Sequence, residues 1–482
     1  MKDLKFKFPL KKEFIVIFAG ILISFIVAKN NLNKFDNNIE NSRNFPSHQM
    51  IKSDIGFAWK IAEEFRFKLS NGNSFFESLP LYQRTFLHPI IVGYYYHLLG
   101  KDIYEKNENS INIIKVKNYK IGILIIQIFA YYASIIFLTN KIKKKIGNKF
   151  YFITLVFLSL EPSILQWHTS FWSESFYLSM LVILLTLMID VSKNKIINLL
   201  TGILMGLMFA QKAISFLYII PFIIYYLYVF KKNVVPSIFL LTGFIFFMSL
   251  VGYNHYKKTD TFYIMSSGHQ YFSYYHYFAH IIRADRLNID ADIAKKNMDI
   301  EEKNWRVEKK IFISQDVLNS NPINITKNIE YRNKTFLYEV IQNPLFSIKF
   351  FIKKAIVMTI IHPTWSNEVI SFDKSSEMAK ENPEIYYNKK LKRNAIYSLF
   401  IYFFVLIGII RFILNFYTKE KIENYDKFLI LNLLSITYFI LIAGMWGNPR
   451  YFAPCLINIS FFFSYGFVEV KLFINKRIKQ FK

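Results

Sequence analysis

Residues 119–145 read YKIGILIIQIFAYYASIIFLTNKIKKK. Between Tyr119 and Thr139 the only charge is Lys120, and the run is followed at once by Lys141, Lys143, Lys144 and Lys145. At about 1.5 Å rise per residue, a helix of this length covers the roughly 30 Å of a hydrocarbon core. A basic cluster at one end of such a helix marks the cytoplasmic side. This stretch sets the class as a polytopic membrane protein and fixes one orientation.

Working outward, comparable apolar runs occur at roughly 14–28, 150–166, 172–190, 196–211, 213–230, 234–252, 396–416, 427–445 and 450–470. With 119–139 they make ten expected spans. The positive-inside rule orients the others consistently. Lys2 to Lys12, Lys231-Lys232, Lys419, Lys421 and Lys427, and the tail Lys476-Arg477-Ile478-Lys479 all fall inside by parity. The outer turns at 167–171 and 446–449 hold no Lys or Arg. Both termini are therefore expected in the cytoplasm. The run from Phe14 lacks a small-x-small cleavage site, ending Ile26-Val27-Ala28, and reads as a retained anchor. Phe86 to Leu99 and Pro344 to His362 would break the parity as spans. They are expected as amphipathic helices lying on the outer membrane face.

The expected fold is an all-α polytopic membrane protein with two large outer loops, 29–118 and 253–395. Three regions follow: 1–252, an N-terminal transmembrane core with the first outer loop; 253–395, an outer loop or small subdomain with an interfacial helix; and 396–482, the C-terminal transmembrane helices. The polar, Asn- and Lys-rich segment 284–335 is expected as a small outer subdomain or a mobile loop.

Composition excludes other classes. Of 482 residues, 53% are apolar and only 20% charged, with 51 Phe and 32 Tyr. Mean hydropathy is +0.23. Disorder, collagen and a disulfide scaffold are ruled out. The net charge of +26 comes from 49 Lys and 11 Arg. Abundant Lys, Asn and Ile are what an AT-rich coding sequence produces, and much of the Lys sits where topology wants it. Nucleic acid is not an expected partner; attraction to anionic lipid is a modest further consequence. The single cysteine, Cys455, excludes an intrachain disulfide and a cysteine metal site.

Candidate chemistry lies at the outer rim. Asp54 opens a helical pattern (Phe57, Ala58, Ile61, Ala62) and is either an N-cap or a carboxylate that serves as general base or ion ligand. Arg84 precedes the first interfacial helix, placed to pair with a lipid phosphate or to snorkel to head groups; His88, four residues on, reads as structural. Glu174 stands at the start of the fourth span, where a buried carboxylate requires a partner; the simpler reading is an acid favoured by the helix dipole. Lys212 is the only Lys in the short outer turns, against the charge bias. It suits an anionic substrate, or snorkelling. Arg450 begins the last span, as a phosphate or carboxylate partner or as an interfacial anchor with Tyr451 as belt aromatic. His269, His276 and His280 have no glutamate to complete a metalloprotease motif.

In order, these segments resemble the GT-C superfamily of polytopic glycosyltransferases, nearest the protein O-mannosyltransferase and lipid A aminoarabinose transferase group. The resemblance covers nearly the whole chain. It rests on Asp54 after the first span; Arg84, Pro89 and Gly100 around a juxtamembrane helix; and Ser173-Glu174 opening the fourth span. Gly202, Gly206 and Lys212 in a Gly-rich span, and Arg450, Tyr451 and Pro454 opening the last, complete it. Asp54 is followed by Ile55 where the family often has a second acid, and Glu174 stands where the aminoarabinose branch often has Asp.

The resemblance implies inverting transfer of a sugar from a polyprenyl-phosphate donor to an acceptor outside the cytoplasm (a glycan, lipid or protein). Asp54 would be base or metal ligand and Glu174 the second acid. Arg84, Lys212, Arg450 and Tyr451 would hold the donor phosphate. A divalent ion, Mg, Mn or Zn, at Asp54 and Glu174 is left open by the resemblance, as is a metal-free site. The implied location is the bacterial inner (plasma) membrane, with the site on its outer face. The competing classes are a transporter or flippase of lipid-linked glycan, which would carry charges and broken helices within its spans, and a glycan polymerase or ligase.

Overall fold

The computed structural model describes residues 11–41, 54–79, 87–106, 114–116, 119–146, 148–171, 173–231, 233–259, 262, 275–313, 321–361, 383–418, 424–446 and 453–481. Apart from one short antiparallel pair, β1 (Tyr104–Lys106) with β2 (Ile114–Val116), the regular elements are helical. The decisive stretch forms α5 (Lys120–Lys145). Ile128, Tyr131, Ile135, Leu138 and Ile142 recur at helical spacing on its buried side. Ile121, Ile125, Ile126 and Phe129 are exposed on the other. A helix apolar on every side belongs in lipid.

Before α5 come α1 (Lys11–Asn41), α2 (Asp54–Ser70), α3 (Phe75–Ser78) and α4 (Leu87–Leu98). After it come α6 (Asn148–Leu160), α7 (Pro162–His168), α8 (Glu174–Met188), α9 (Lys195–Gln211), a 3-10 turn (Ala213–Tyr218), α10 (Ile219–Phe230) and α11 (Val235–Thr259). A π turn (Tyr275–Ala279) leads into α12 (His280–Leu287), α13 (Ala291–Glu308), α14 (Pro322–Gln342) and α15 (Pro344–Ile361). The chain closes with α16 (Pro383–Thr418), α17 (Asn424–Trp446) and α18 (Ala453–Phe481).

Each of the ten expected spans contains helix, but fewer are spans by length. Among the described residues, five helices are long and apolar enough to cross a membrane: α5, α11, α16, α17 and α18. A sixth arises if α6 and α7, bent by 57° at Glu161-Pro162, count as one broken span. Three of the others are short helices. α8, α9 and α10 are apolar but have 15, 17 and 12 residues, and about 1.5 Å per residue leaves them below the roughly 30 Å core. The 213–230 run is divided between the 3-10 turn and α10. The 14–28 run is the first half of α1.

One continuous core runs from Ile17 on α1 to Tyr465 on α18, so the N- and C-terminal transmembrane regions share it. Lipid offers little hydrophobic drive between helices, so close backbone approach through small residues does the packing. A Cβ on Gly202 would lie 2.0 Å from the Leu240 carbonyl, and one on Gly243 2.1 Å from that of Leu199, which locks α9 to α11.

Between α1 and α5, α2 packs on α4, where Gly93 lies against the Ala62 carbonyl. The segment 275–342 is built from helices with a small core of their own, Tyr275, Ala279 and Met298 with Phe336 beside them. Buried ion pairs hold it: Arg283 and Arg286 on Glu339, and Arg332 on Glu302. The described residues of 284–335 lie largely in α12, α13 and α14. α15, expected as an interfacial helix, packs on α17; Ser347 and Ala355 are buried while Ile348, Ile352 and Ile356 are exposed.

Candidate functional site at the α8–α9 junction

Glu174 is the first residue of α8, and Lys212 is the residue on which α9 ends before the 3-10 turn. Lys212 has extended backbone (φ −153°, ψ 116°), which carries the chain sharply off the helix axis. Its Nζ lies 2.9 Å from Glu174 Oε1, and the two side chains are 4% and 2% exposed. The partner that a carboxylate at this depth demands is thus Lys212. The snorkelling alternative for Lys212 is overturned, because its ammonium is drawn inward onto an acid instead of outward to head groups.

The pair is fixed by its neighbours. Ser173 Oγ donates to Glu174 Oε2 at 3.2 Å, and Gln211 Nε2 donates to the Ser173 carbonyl at 2.6 Å. Lys212 Nζ sits 5.8 Å from the centroid of the Tyr177 ring, a cation–π contact. Ser215 Oγ donates to Tyr177 OH at 2.8 Å, and Tyr218 OH donates to Ser435 Oγ at 3.0 Å. Tyr438 OH donates to the Ile214 carbonyl, a second tie between the 3-10 turn and α17. A line of polar groups therefore joins the ion pair to the C-terminal helices.

Helices α2 and α4 close the other side. Trp59 on α2 is buried, with its ring 5.6 Å from Phe171 and 6.3 Å from Tyr96 on α4, both edge to face. Phe171 lies three residues before Glu174. α4 also packs against α9. His88, in the first turn of α4, is buried with its ring 6.4 Å from that of Phe176. Burial pushes its pKa down to about 4, against the opposing pull of the Glu174 charge, so the imidazole is neutral at physiological pH.

α2 begins at Asp54; the side chain of Asp54 lies outside the described residues, as do Arg84, Arg450, Tyr451, His269 and the side chain of His276. Arg84 precedes α4 by three residues, and Arg450 and Tyr451 directly precede α18, whose first residue, Ala453, is buried. Gly202 and Gly206, part of the sequence pattern ending in Lys212, pack against Leu240 and Phe247 of α11.

The described residues do not fit a divalent ion at Glu174. Among them no three His, Cys, Asp or Glu side chains gather as a ligand set. One Glu174 oxygen is taken by an ammonium and the other by a hydroxyl. A divalent cation would have to displace the first and sit beside its charge. The expected ion site pairs Glu174 with Asp54, whose side chain lies outside the described residues.

Sequence reading missed a second buried acid. Glu161 stands at the α6–α7 break, 3% exposed, and its Oε2 accepts from the Ile164 amide at 2.7 Å. Tyr397 OH donates to its Oε1 at 3.4 Å. His168, seven residues on, bridges the Ile164 carbonyl (2.8 Å) and Ser24 Oγ (3.1 Å) on α1. The signal was present as Glu161-Pro162, a cap followed by a proline at the first helical position. Comparison with protein-family models, curated proteins and solved structures gives no significant match.

Proposed function

We propose that the protein is a membrane glycosyltransferase of GT-C type, moving a sugar from a polyprenyl-phosphate donor to an acceptor outside the cytoplasm. The observation that carries this reading is the buried Glu174–Lys212 pair, set at the junction of two apolar helices and bordered by the helices that follow Asp54 and Arg84. A lipid-linked donor cannot leave the bilayer, so its phosphate must meet cations where apolar helices end. An acceptor outside the cytoplasm has no nucleotide sugar within reach.

In the proposed reaction an acceptor oxygen attacks the anomeric carbon as the bond to the phosphate oxygen breaks, inverting that centre. Asp54 takes the acceptor's proton. Polyprenyl phosphate departs with the bonding electrons, and Arg84, Lys212, Arg450 and Tyr451 stabilise its growing charge. Glu174 acts as a positioning residue that holds the Lys212 ammonium. The site faces the outside of a bacterial plasma membrane, with both termini in the cytoplasm.

The test is release of free polyprenyl phosphate by purified protein in lipid, given a panel of polyprenyl-phosphate sugars and an envelope extract as acceptor source. The proposal expects acceptor-dependent release by the wild type and its loss in Asp54→Asn. Equal release by both proteins removes Asp54 from the chemistry. A specific observation favours a second reading, a flippase of lipid-linked glycan: the 57° break between α6 and α7 with a buried carboxylate at it. Donor that crosses the bilayer without release of polyprenyl phosphate would favour it.

A further inference from the structure

Two side-chain atoms next to the ion pair have no hydrogen-bond partner among the described residues, although both are shut off from solvent: His88 Nε2 and Gln211 Oε1. Their residues are 2% and 0% exposed. Leaving a buried polar atom unsatisfied costs folding free energy, which a bound group recovers. Gln211 is anchored to the residue before Glu174, and the Glu174 charge acts on His88.

The chemistry of the missing partner can be read from the atoms. Only the NH2 end of an amide can donate, and Gln211 Nε2 donates to the Ser173 carbonyl at 2.6 Å. That fixes the amide, so Oε1 is an acceptor and requires a donor. His88 is uncharged, and its Nε2 donates or accepts according to tautomer. A hydroxyl group meets both needs, since it donates one hydrogen and accepts another. A phosphate dianion has no hydrogen to offer Gln211 Oε1, and an apolar group satisfies neither atom.

We propose that His88 and Gln211 form a hydroxyl-reading subsite that recognises ring hydroxyls of a neutral sugar, beside the phosphate-binding end marked by Lys212. The inference rests on the transferase reading for the identity of the ligand as a lipid-phosphate sugar. It adds the class of sugar and the residues that select it. Gln211 and Lys212 are adjacent in sequence, so sugar and phosphate are read by consecutive residues at the end of α9.

The probe is undecaprenyl-phosphate hexose and its monodeoxy analogues, with binding measured on full-length protein in lipid nanodiscs and without need of turnover. Wild type is expected to bind at least one deoxy analogue roughly 10- to 100-fold more weakly than the parent donor. Gln211→Met and His88→Phe should each weaken parent binding to a similar degree and close the gap with that analogue to about twofold. Without donor, His88→Phe should unfold at the same or a higher temperature, because it removes an unsatisfied group; a purely structural histidine would lower it. If Gln211→Met does not fold, the deoxy series on wild type still decides.

Equal binding of all analogues by wild type overturns the subsite, as does unchanged discrimination in the variants. Hydroxyl-selective binding with no transfer to any acceptor leaves the subsite standing and removes the transferase. Transfer without hydroxyl selectivity does the reverse. No binding of any donor removes both.

Discussion

Glu174 and Lys212 illustrate how a charge is tolerated within an apolar bundle. Removing one member of a buried pair leaves the other uncompensated, at a cost of about 3–5 kcal/mol, whereas replacing both with apolar residues of similar volume is often neutral. Glu174→Leu or Lys212→Met alone should therefore lower thermal stability markedly. The double variant Glu174→Leu/Lys212→Met should recover most of it, but not activity. Melting curves of the three proteins in one detergent check this, and additive losses in the double variant would contradict the pairing.

His88 makes the site sensitive to pH with a definite sign. Its folded pKa of about 4 lies below the ordinary histidine value of 6.5, so the unfolded chain binds the extra proton first. The His88 contribution is fully present above pH 6.5 and is lost as pH falls from there toward 4, by about 3 kcal/mol in all. Stability measured between pH 7 and 4 should fall less steeply in His88→Phe than in the wild type. Parallel curves would mean that His88 is not buried in neutral form.

At the scale of elements, what lies between the apolar runs matters most. Long helices such as α5 were legible because length, hydropathy and the Lys141–Lys145 cluster agree. α8, α9 and α10 were legible as apolar runs, but not as helices too short to cross, because a window cannot see where a helix stops. The α9 end is set by extended backbone at Lys212, and α10 is shortened by the 3-10 turn before it. The α9–α11 crossing gives a sharp prediction. Gly243→Leu would drive a side chain into the Leu199 carbonyl, 2.1 Å from the first added atom, and should cost several kcal/mol as overpacking against rigid backbone. Tolerance of this change in a melting experiment would contradict the close crossing.

The helices of 275–342 obey similar logic. Glu339 is fully buried and accepts from both Arg283 (2.8 Å) and Arg286 (3.0 Å), drawing α12 onto α14. Glu339→Leu takes the carboxylate from Arg286 and leaves Arg283 with Glu301 alone, and should raise protease sensitivity across 280–342 while leaving the bundle folded. Uniform loss of both parts would show that the subdomain is not an independent unit. Charge-rich composition concealed this segment in the sequence, since buried ion pairs and a solvated loop use the same residue types.

For the whole molecule, the sequence carried the class, the helical character and half of the candidate site. Lys212 was conspicuous because it broke the charge bias of the outer turns. Glu174 was conspicuous because an acid at the start of an apolar span needs a partner. That each is the other's partner was not legible, because 38 residues separate them and only the antiparallel packing of α8 and α9 closes the distance. Nor were the unsatisfied atoms of His88 and Gln211, which are defined by what fails to surround them.

The central claim is transfer of a sugar from a lipid phosphate. It is tested most directly in proteoliposomes holding a polyprenyl-phosphate sugar labelled in both sugar and lipid, with acceptor outside. Sugar label entering acceptor should match free polyprenyl phosphate one for one, with the anomeric configuration inverted. Label that crosses the bilayer with its lipid bond intact, and no free polyprenyl phosphate, would contradict the account.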